Sequence, residues 1–169
     1  MYRLLAVAAV AASATPALAQ QPHFYGSLGY SFEGAEGFEL ALGLQANLGD
    51  LIVVRASPLN VVLTDADGFY RDTFSNGQSR CRNESNGQFA TDESCTGLDY
   101  RVDADAYIRL PGSILIGGGV VHTLSSDYTP EREGVTEEFL AIMFEFNRNF
   151  GLELRGGEGN AALRVRAAF

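Results

Sequence analysis

From Phe38 to Leu48 apolar and polar positions alternate without a slip. Phe38, Leu40, Leu42, Leu44, Ala46 and Leu48 fall on one side, with Glu39, Ala41, Gly43, Gln45 and Asn47 on the other. On a helix Leu40 and Leu42 would stand about 200° apart, so the pattern predicts a strand with one apolar face. The same period runs through Phe24 to Phe32 and through Leu98 to Leu110, where Asp99, Arg101, Asp103, Asp105, Tyr107 and Arg109 oppose Leu98, Tyr100, Val102, Ala104, Ala106, Ile108 and Leu110. It returns in the closing stretch Asn160 to Phe169, where Ala161, Leu163, Val165, Ala167 and Phe169 oppose Arg164 and Arg166. Leu51 to Leu63 alternates less cleanly, and Pro58 within it predicts a bulge or a break in pairing. Ser113 to Leu124, Thr136 to Asn147 and Phe150 to Gly156 complete eight predicted strands.

The connections sort by length. Glu33–Gly37, Thr64–Gly97, Ser125–Gly134 and Gly157–Gly159 alternate along the chain with the tight turns Gly49-Asp50, Pro111-Gly112 and Arg148-Asn149. If consecutive strands pair antiparallel, both long loops fall at one end and all three tight turns at the other. That asymmetry and an even strand number suit an up-and-down barrel of the transmembrane type. Aromatic residues close the apolar faces: Phe24, Phe146, Phe150 and Phe169 at one end, Phe32, Phe38 and Tyr100 at the other. Two aromatic belts around an aliphatic band are what a lipid-facing wall requires. Thr64–Gly97 has no periodicity and is expected to be one long loop.

Alternation alone does not say which face is inside. A secreted, soluble, lipocalin-like barrel would turn the apolar face inward. The polar face here is crowded with Gly, Ala and Ser between charges, whereas a soluble exterior would carry Lys, Thr and Glu. Turned inward, it encloses Arg55, Arg101, Arg109, Arg155, Arg164 and Arg166 with Glu39, Asp99, Asp103, Asp105, Glu145 and Glu153, six charges of each sign. Such a balance is what an interior with little water demands. Arg164 and Arg166 are expected to reach carboxylates such as Glu39 or Glu153 on neighbouring strands.

Composition narrows the setting. Arg3, the apolar run Leu4 to Ala12 and the small-x-small site Ala17-Leu18-Ala19 make residues 1–19 an expected signal peptide, leaving 20–169 as one domain. No later run reaches 18 apolar residues, which says nothing against a barrel, since a strand needs only about 9–11. The chain has no Lys, and its formal net charge of −9 argues against a nucleic-acid partner. Cys81 and Cys95 are the only cysteines, an even pair that in an exported protein predicts one disulfide.

Strand count, loop asymmetry, aromatic girdles and a terminal Phe together resemble the small eight-stranded bacterial outer-membrane barrels, the OmpA/OmpX-like group, over the whole of 20–169. The resemblance implies an outer-membrane location with both termini periplasmic and the long loops extracellular. It also implies membrane lipids and the barrel-assembly machinery as partners, Phe169 as an assembly signal, and no cofactor. The periplasmic peptidoglycan-binding domain of OmpA has no counterpart in the sequence.

Catalytic candidates are few. Outer-membrane enzymes that trim lipid A use a His with a Ser on a strand, and His122-Thr-Leu-Ser125 superficially fits. On a regular strand a spacing of three puts the two on opposite faces, His122 on the apolar one. Asp65-x-Asp67-Gly68 offers oxygen ligands for calcium without the rest of an EF-hand-type loop, and Asn83-Glu-Ser85 is a glycosylation sequon in form only. Two Cys and two His at unrelated spacings do not make a zinc site. The expected function is therefore non-enzymatic: a structural or surface-recognition barrel acting on an unnamed surface ligand through a disulfide-pinned loop. The alternatives are a small pore, a lipid-modifying enzyme, or the soluble barrel.

Overall fold

The protein is described by a computed structural model covering residues 21–33, 36–64, 66–127, 130–147 and 149–169. The expected signal segment 1–19 lies outside the described residues, as do Asp65 and Arg148.

Ten strands form. β1 (His23–Ser31), β2 (Gly37–Leu48) and β3 (Ile52–Thr64) are followed by two short strands, β4 (Phe69–Thr73) and β5 (Ser79–Asn83). β6 (Gly97–Leu110), β7 (Ile114–Ser126), β8 (Thr136–Glu145), β9 (Phe150–Gly157) and β10 (Ala162–Ala168) complete the chain. All but β4 and β5 form one closed antiparallel barrel of eight strands in the order β1-β10-β9-β8-β7-β6-β3-β2, an up-and-down meander. β1 closes it against β10 from Tyr25↔Ala168 to Ser31↔Ala162. Closure leaves the sheet without an edge, so every strand has partners on both sides.

One mouth, here the turn end, gathers the start of β1, the end of β10 and the three tight turns. The opposite mouth, the loop end, carries the longer connections. β4 and β5 pair with each other and with no barrel strand, inside the stretch expected to lack secondary structure. That expectation is corrected: Phe69–Asn83 folds as a hairpin whose polar residues alternate nothing apolar, so no hydrophobic period could announce it. Its signal is the Asn76-Gly77 pair at the hairpin tip, a turn dipeptide with Gly77 at φ 79°.

The faces sort cleanly by polarity. Tyr25, Ser27, Ser31, Glu39, Ala41 and Gln45 are buried, while their neighbours Phe24, Leu28, Tyr30, Phe38, Leu40, Leu42 and Leu44 are exposed. The outer wall is therefore the apolar one, with Leu140 at 76% the most exposed large apolar side chain among the described residues. Phe24, Phe146, Phe150 and Phe169 are exposed at the turn end, and Tyr30, Phe32, Phe38 and Tyr100 at the loop end. Between these rings the wall is Leu, Ile, Val, Ala and Gly.

Bulges keep the faces in phase with the pairing. β3 slips against β6 between Ser57 and Asn60, so that Pro58 and Leu59 both lie outside. Proline has no N–H for the ladder, and the bulge removes the need for one. A second slip sets Tyr100↔Ser125 beside Arg101↔Thr123, leaving Leu124 as the extra residue.

The interior is not uniformly polar. Val53, Tyr107, Leu115, Val121, Phe139, Ala141 and Met143 form an apolar cluster on the β3–β6–β7–β8 side, beside the charges that the alternation places on this face. β7 presents Gly117 and Gly119 to this interior. A Cβ on Gly119 would sit 2.2 Å from the Ala104 carbonyl oxygen and 2.6 Å from Asp105 Cβ. The absence of a side chain there leaves room for Asp105, on which the charge network turns.

Candidate functional site

Two features stand apart from the bare barrel: a charged bore and a pinned loop at the loop end.

The bore is built from alternate residues of β2, β3, β6, β9 and β10. Arg55 grips Asp105 with both arms of its guanidinium, Nε to Oδ1 at 2.7 Å and Nη2 to Oδ2 at 2.9 Å, and also meets Glu153. Arg155 spans three carboxylates: Asp103 at 3.1 Å, Asp105 at 2.9 Å and Glu153 at 2.5 Å. Arg164 takes Glu39 in the same two-armed fashion, with Nε to Oε2 at 2.7 Å, and reaches Asp103 at 3.3 Å. Asn60 donates to Asp103 Oδ2 at 2.9 Å. Two-armed contacts use the fork geometry that distinguishes Arg from Lys, in keeping with a chain that has no Lys. The guanidinium of Arg55 lies 4.5 Å from the centre of the Tyr107 ring, and that of Arg155 lies 4.1 Å from Phe139. The apolar half of the lumen thus packs against the cations instead of merely adjoining them.

Of the remaining expected lumen charges, Arg101 pairs with Asp99 on its own strand at 2.9 Å, near the loop end. Glu145 receives both Arg109 and Arg166 at 3.3 Å, and Arg166 also donates to Gln45. All twelve residues are brought into the interior, but not all to one depth. Arg109 keeps a third of its side chain exposed because it stands in the turn-end mouth. There a vestibule of about 740 Å³ opens, lined by His23, Gln45, Asn47, Asp50, Arg109 and Glu145 among others. Beyond it the bore is occupied by Tyr107, Arg55, Glu153 and Arg155, all buried.

At the loop end Cys81 and Cys95 are joined in a disulfide. Cys81 lies on β5, and Cys95 ends a single 3-10 turn, Asp92–Cys95. The chain between them doubles back on β5: Asn83 N–H donates to Gln88 O at 3.0 Å, Ala90 N–H donates to Cys81 O at 2.9 Å, and Phe89 bridges to Arg82. The result is a small sheet in which Tyr70 pairs Arg82, Asp72 pairs Arg80, and Arg71 pairs Cys81. Arg71 ties this sheet to the 3-10 turn through the Thr96 hydroxyl at 3.2 Å.

The other candidates scatter. Asp67, one of the two possible calcium ligands, is exposed, and its N–H donates to the Asp127 carbonyl at 3.1 Å. Asn83 of the sequon uses its carbonyl oxygen to cap the turn at Ser85, accepting from that residue's N–H at 2.9 Å. Phe169 is exposed at the rim and donates its N–H to Phe24 O at 2.9 Å.

His122 and Ser125 require a correction. The bulge at Leu124 adds a residue between them, so Ser125 pairs with the outward Tyr100 as His122 pairs with the outward Val102. Both therefore stand on the outer wall, not on opposite faces. His122 Nδ1 is hydrogen-bonded to the Thr136 hydroxyl at 2.8 Å. Nothing in the sequence near Leu124 marks that bulge.

Comparison of the chain with protein-family models, with curated proteins and with solved structures finds no match.

Proposed function

We propose that the protein is an outer-membrane barrel of the OmpA/OmpX-like kind that works by surface recognition through its pinned loop. The observation that carries the membrane assignment is the inversion of polarity. A closed wall exposes Leu, Ile and Val between two aromatic rings, while Arg and carboxylate side chains are buried and paired inside. In water that wall would be an apolar patch far above the few hundred Å² that soluble monomers expose. In lipid it is the required surface, and the strands satisfy one another's backbone groups. On this reading the turn end is periplasmic, the loop end faces out, and segment 1–19 is the export signal. Barrel-assembly machinery and membrane lipids are then partners. The test is fractionation together with gel migration: the protein sediments with outer membranes, and unboiled samples run differently from boiled ones. Recovery from the soluble periplasmic fraction overturns the assignment.

Recognition rather than transport is supported by the filled bore. Eight strands leave an interior that side chains can fill, and here arginines, carboxylates and Tyr107 do so. The loop, in contrast, is held in shape: closing Cys81–Cys95 restricts the unfolded chain by roughly 3 kcal/mol in the loop-entropy account. Pull-down from native envelope or host surface compares intact protein with protein in which Asp72–Thr96 is replaced by a short Gly-Ser link. Loss of the captured partner on excision supports the reading, and identical capture removes it.

A second reading is a lipid-directed esterase, and the bulge at Leu124 favours it by placing Ser125 and His122 on the same outer wall. Ser125 Oγ would attack an ester carbonyl while His122 took its proton and returned it to the leaving alcohol. The imidazole is held by Thr136, a neutral group, and among the described residues no carboxylate bonds to it as one stabilises the imidazolium in hydrolases, so this reading ranks second. Deacylation of lipid A by purified protein, abolished in Ser125→Ala, would promote it.

A further inference from the structure

The two faces of the loop sheet are unlike. Pairing puts Arg71, Cys81 and Asn83 on one face, where the disulfide buries Cys81 and the exposed Arg71 reaches to the 3-10 turn Asp92–Cys95. This side looks toward the barrel: Arg71, Asp92 and Thr96 line a cleft of about 460 Å³ whose other wall is Leu63 and Leu98 of β3 and β6. The opposite face bears Tyr70 and Asp72 of β4, Arg80 and Arg82 of β5, and Phe89 from the returning segment. Among the described residues nothing covers it.

That face is organised. Arg82 is fixed by Asp72 at 2.8 Å and by the Gly87 carbonyl at 2.8 Å, and its guanidinium lies 4.2 Å from the centre of the Phe89 ring. Phe74 adds a second ring 6.4 Å from Phe89. Arg80 stands 5.4 Å from the same Phe89 ring, and its guanidinium engages no carboxylate or carbonyl among the described residues. Stacking restrains a cation without using its N–H groups, so Arg80 presents donors ready for an anion. Phe89 and Tyr70 remain 54% and 41% exposed. Apolar ring area, an uncommitted cation, and a phenol and carboxylate able to bond hydroxyls lie side by side on a flat, covalently pinned surface.

We infer that this face binds acidic saccharide chains that come from outside the cell's own membrane. The inference rests on the recognition reading above and names its ligand class. Sugar rings offer C–H faces to Phe89 and Tyr70 and hydroxyls to Asp72, and an anionic substituent meets Arg80. Arg80, uncommitted among the described residues, selects the acidic kind. A polyanion of close charge spacing would be repelled by the chain's net charge of −9. An extended peptide docks on a sheet edge, and the β5 edge is already taken by residues 88–90. The source is external because the loop's other side, not this one, looks toward the barrel wall and its lipid.

The experiment uses the full oxidised chain in detergent micelles at 0.15 M salt. A fluorescent hyaluronan octasaccharide, an acidic chain whose carboxylates are widely spaced, is titrated against it, with a neutral dextran octamer, a poly-glutamate peptide and lipopolysaccharide vesicles as competitors. The octasaccharide binds, and none of the three displaces it at equal concentration. Arg80→Ala and Phe89→Ala each weaken it by about tenfold or more, a change of 1.4 kcal/mol. Arg80→Lys recovers part of the loss, and Arg109→Ala at the far mouth leaves affinity unchanged. Unchanged affinity in Arg80→Ala, or displacement by dextran or poly-glutamate, overturns the ligand class. Displacement by lipopolysaccharide vesicles overturns the external source. If these variants change nothing while excision of Asp72–Thr96 still abolishes partner capture, the saccharide inference fails and surface recognition stands. If excision changes nothing either, both fall.

Discussion

Arg155 is the residue on which the bore depends most. Among the described residues it alone pairs with all of Asp103, Asp105 and Glu153, and all four side chains are shielded from solvent. Removing one partner from a buried ion pair costs about 3–5 kcal/mol, because the charge left behind has neither water nor counter-ion. Arg155→Met is therefore expected to lower the stability of the folded barrel by that order, read as a lower urea midpoint in micelles. Adding Glu153→Gln to that variant should recover part of the loss by removing one of the stranded charges. An unchanged midpoint in the single variant would mean that water reaches this depth of the bore. The six-against-six balance was legible in the sequence because period-2 alternation alone fixes which charges share a face. Depth was not, since it depends on strand tilt and side-chain length. Arg109 and Arg166 meet the same Glu145, yet one is a third exposed and the other buried.

Among elements, the long strands were the readable ones. The expected Phe38–Leu48 is Gly37–Leu48 in the structure, and Leu98–Leu110 is Gly97–Leu110, because each apolar face must stay in register with its neighbours. Pro58 points to its bulge through its missing N–H, whereas the bulge at Leu124 involves no Gly or Pro and leaves no trace in the sequence, so regular alternation puts Ser125 on the opposite face from the one it occupies. The β4–β5 hairpin escaped for a different reason: it is stabilised by a disulfide and by polar contacts, and these have no period. The barrel and this hairpin share no strand pairing. Replacing Asp72–Thr96 by a Gly-Ser link should therefore leave the barrel folded, with the heat-dependent gel shift intact and the urea midpoint little changed. Loss of the shift would reveal that the loop props the loop-end mouth.

For the molecule as a whole, closure and filling go together. Tyr107 and Arg55, on the paired strands β6 and β3, lie in contact inside the lumen, Glu153 of β9 receives the latter from across it, and the vestibule opens at the turn end. Purified protein in a planar bilayer should accordingly show no stable conductance steps. Reproducible single-channel steps would promote the pore alternative. The sequence carried the architecture at this scale through its even strand number and alternating loop lengths. It did not carry the division of the lumen into an apolar side and a charged side, because β8 is apolar on both faces: Phe139, Ala141 and Met143 are buried while Leu140, Ile142 and Phe144 are exposed, so alternation there does not mark the inside.

The placing of arginine has a consequence for proteases. Trypsin cuts after Lys and Arg, and this chain offers it only Arg. Five arginines are sequestered in the bore, and the two that are exposed among the described residues, Arg71 and Arg80, belong to the loop sheet. Whole cells treated with trypsin should yield protein nicked in the loop with its barrel intact. A cut after Arg82 would leave Cys81 tethered to Cys95, so those fragments should part only when reductant is added. The same enzyme would then report which end of the barrel faces the medium.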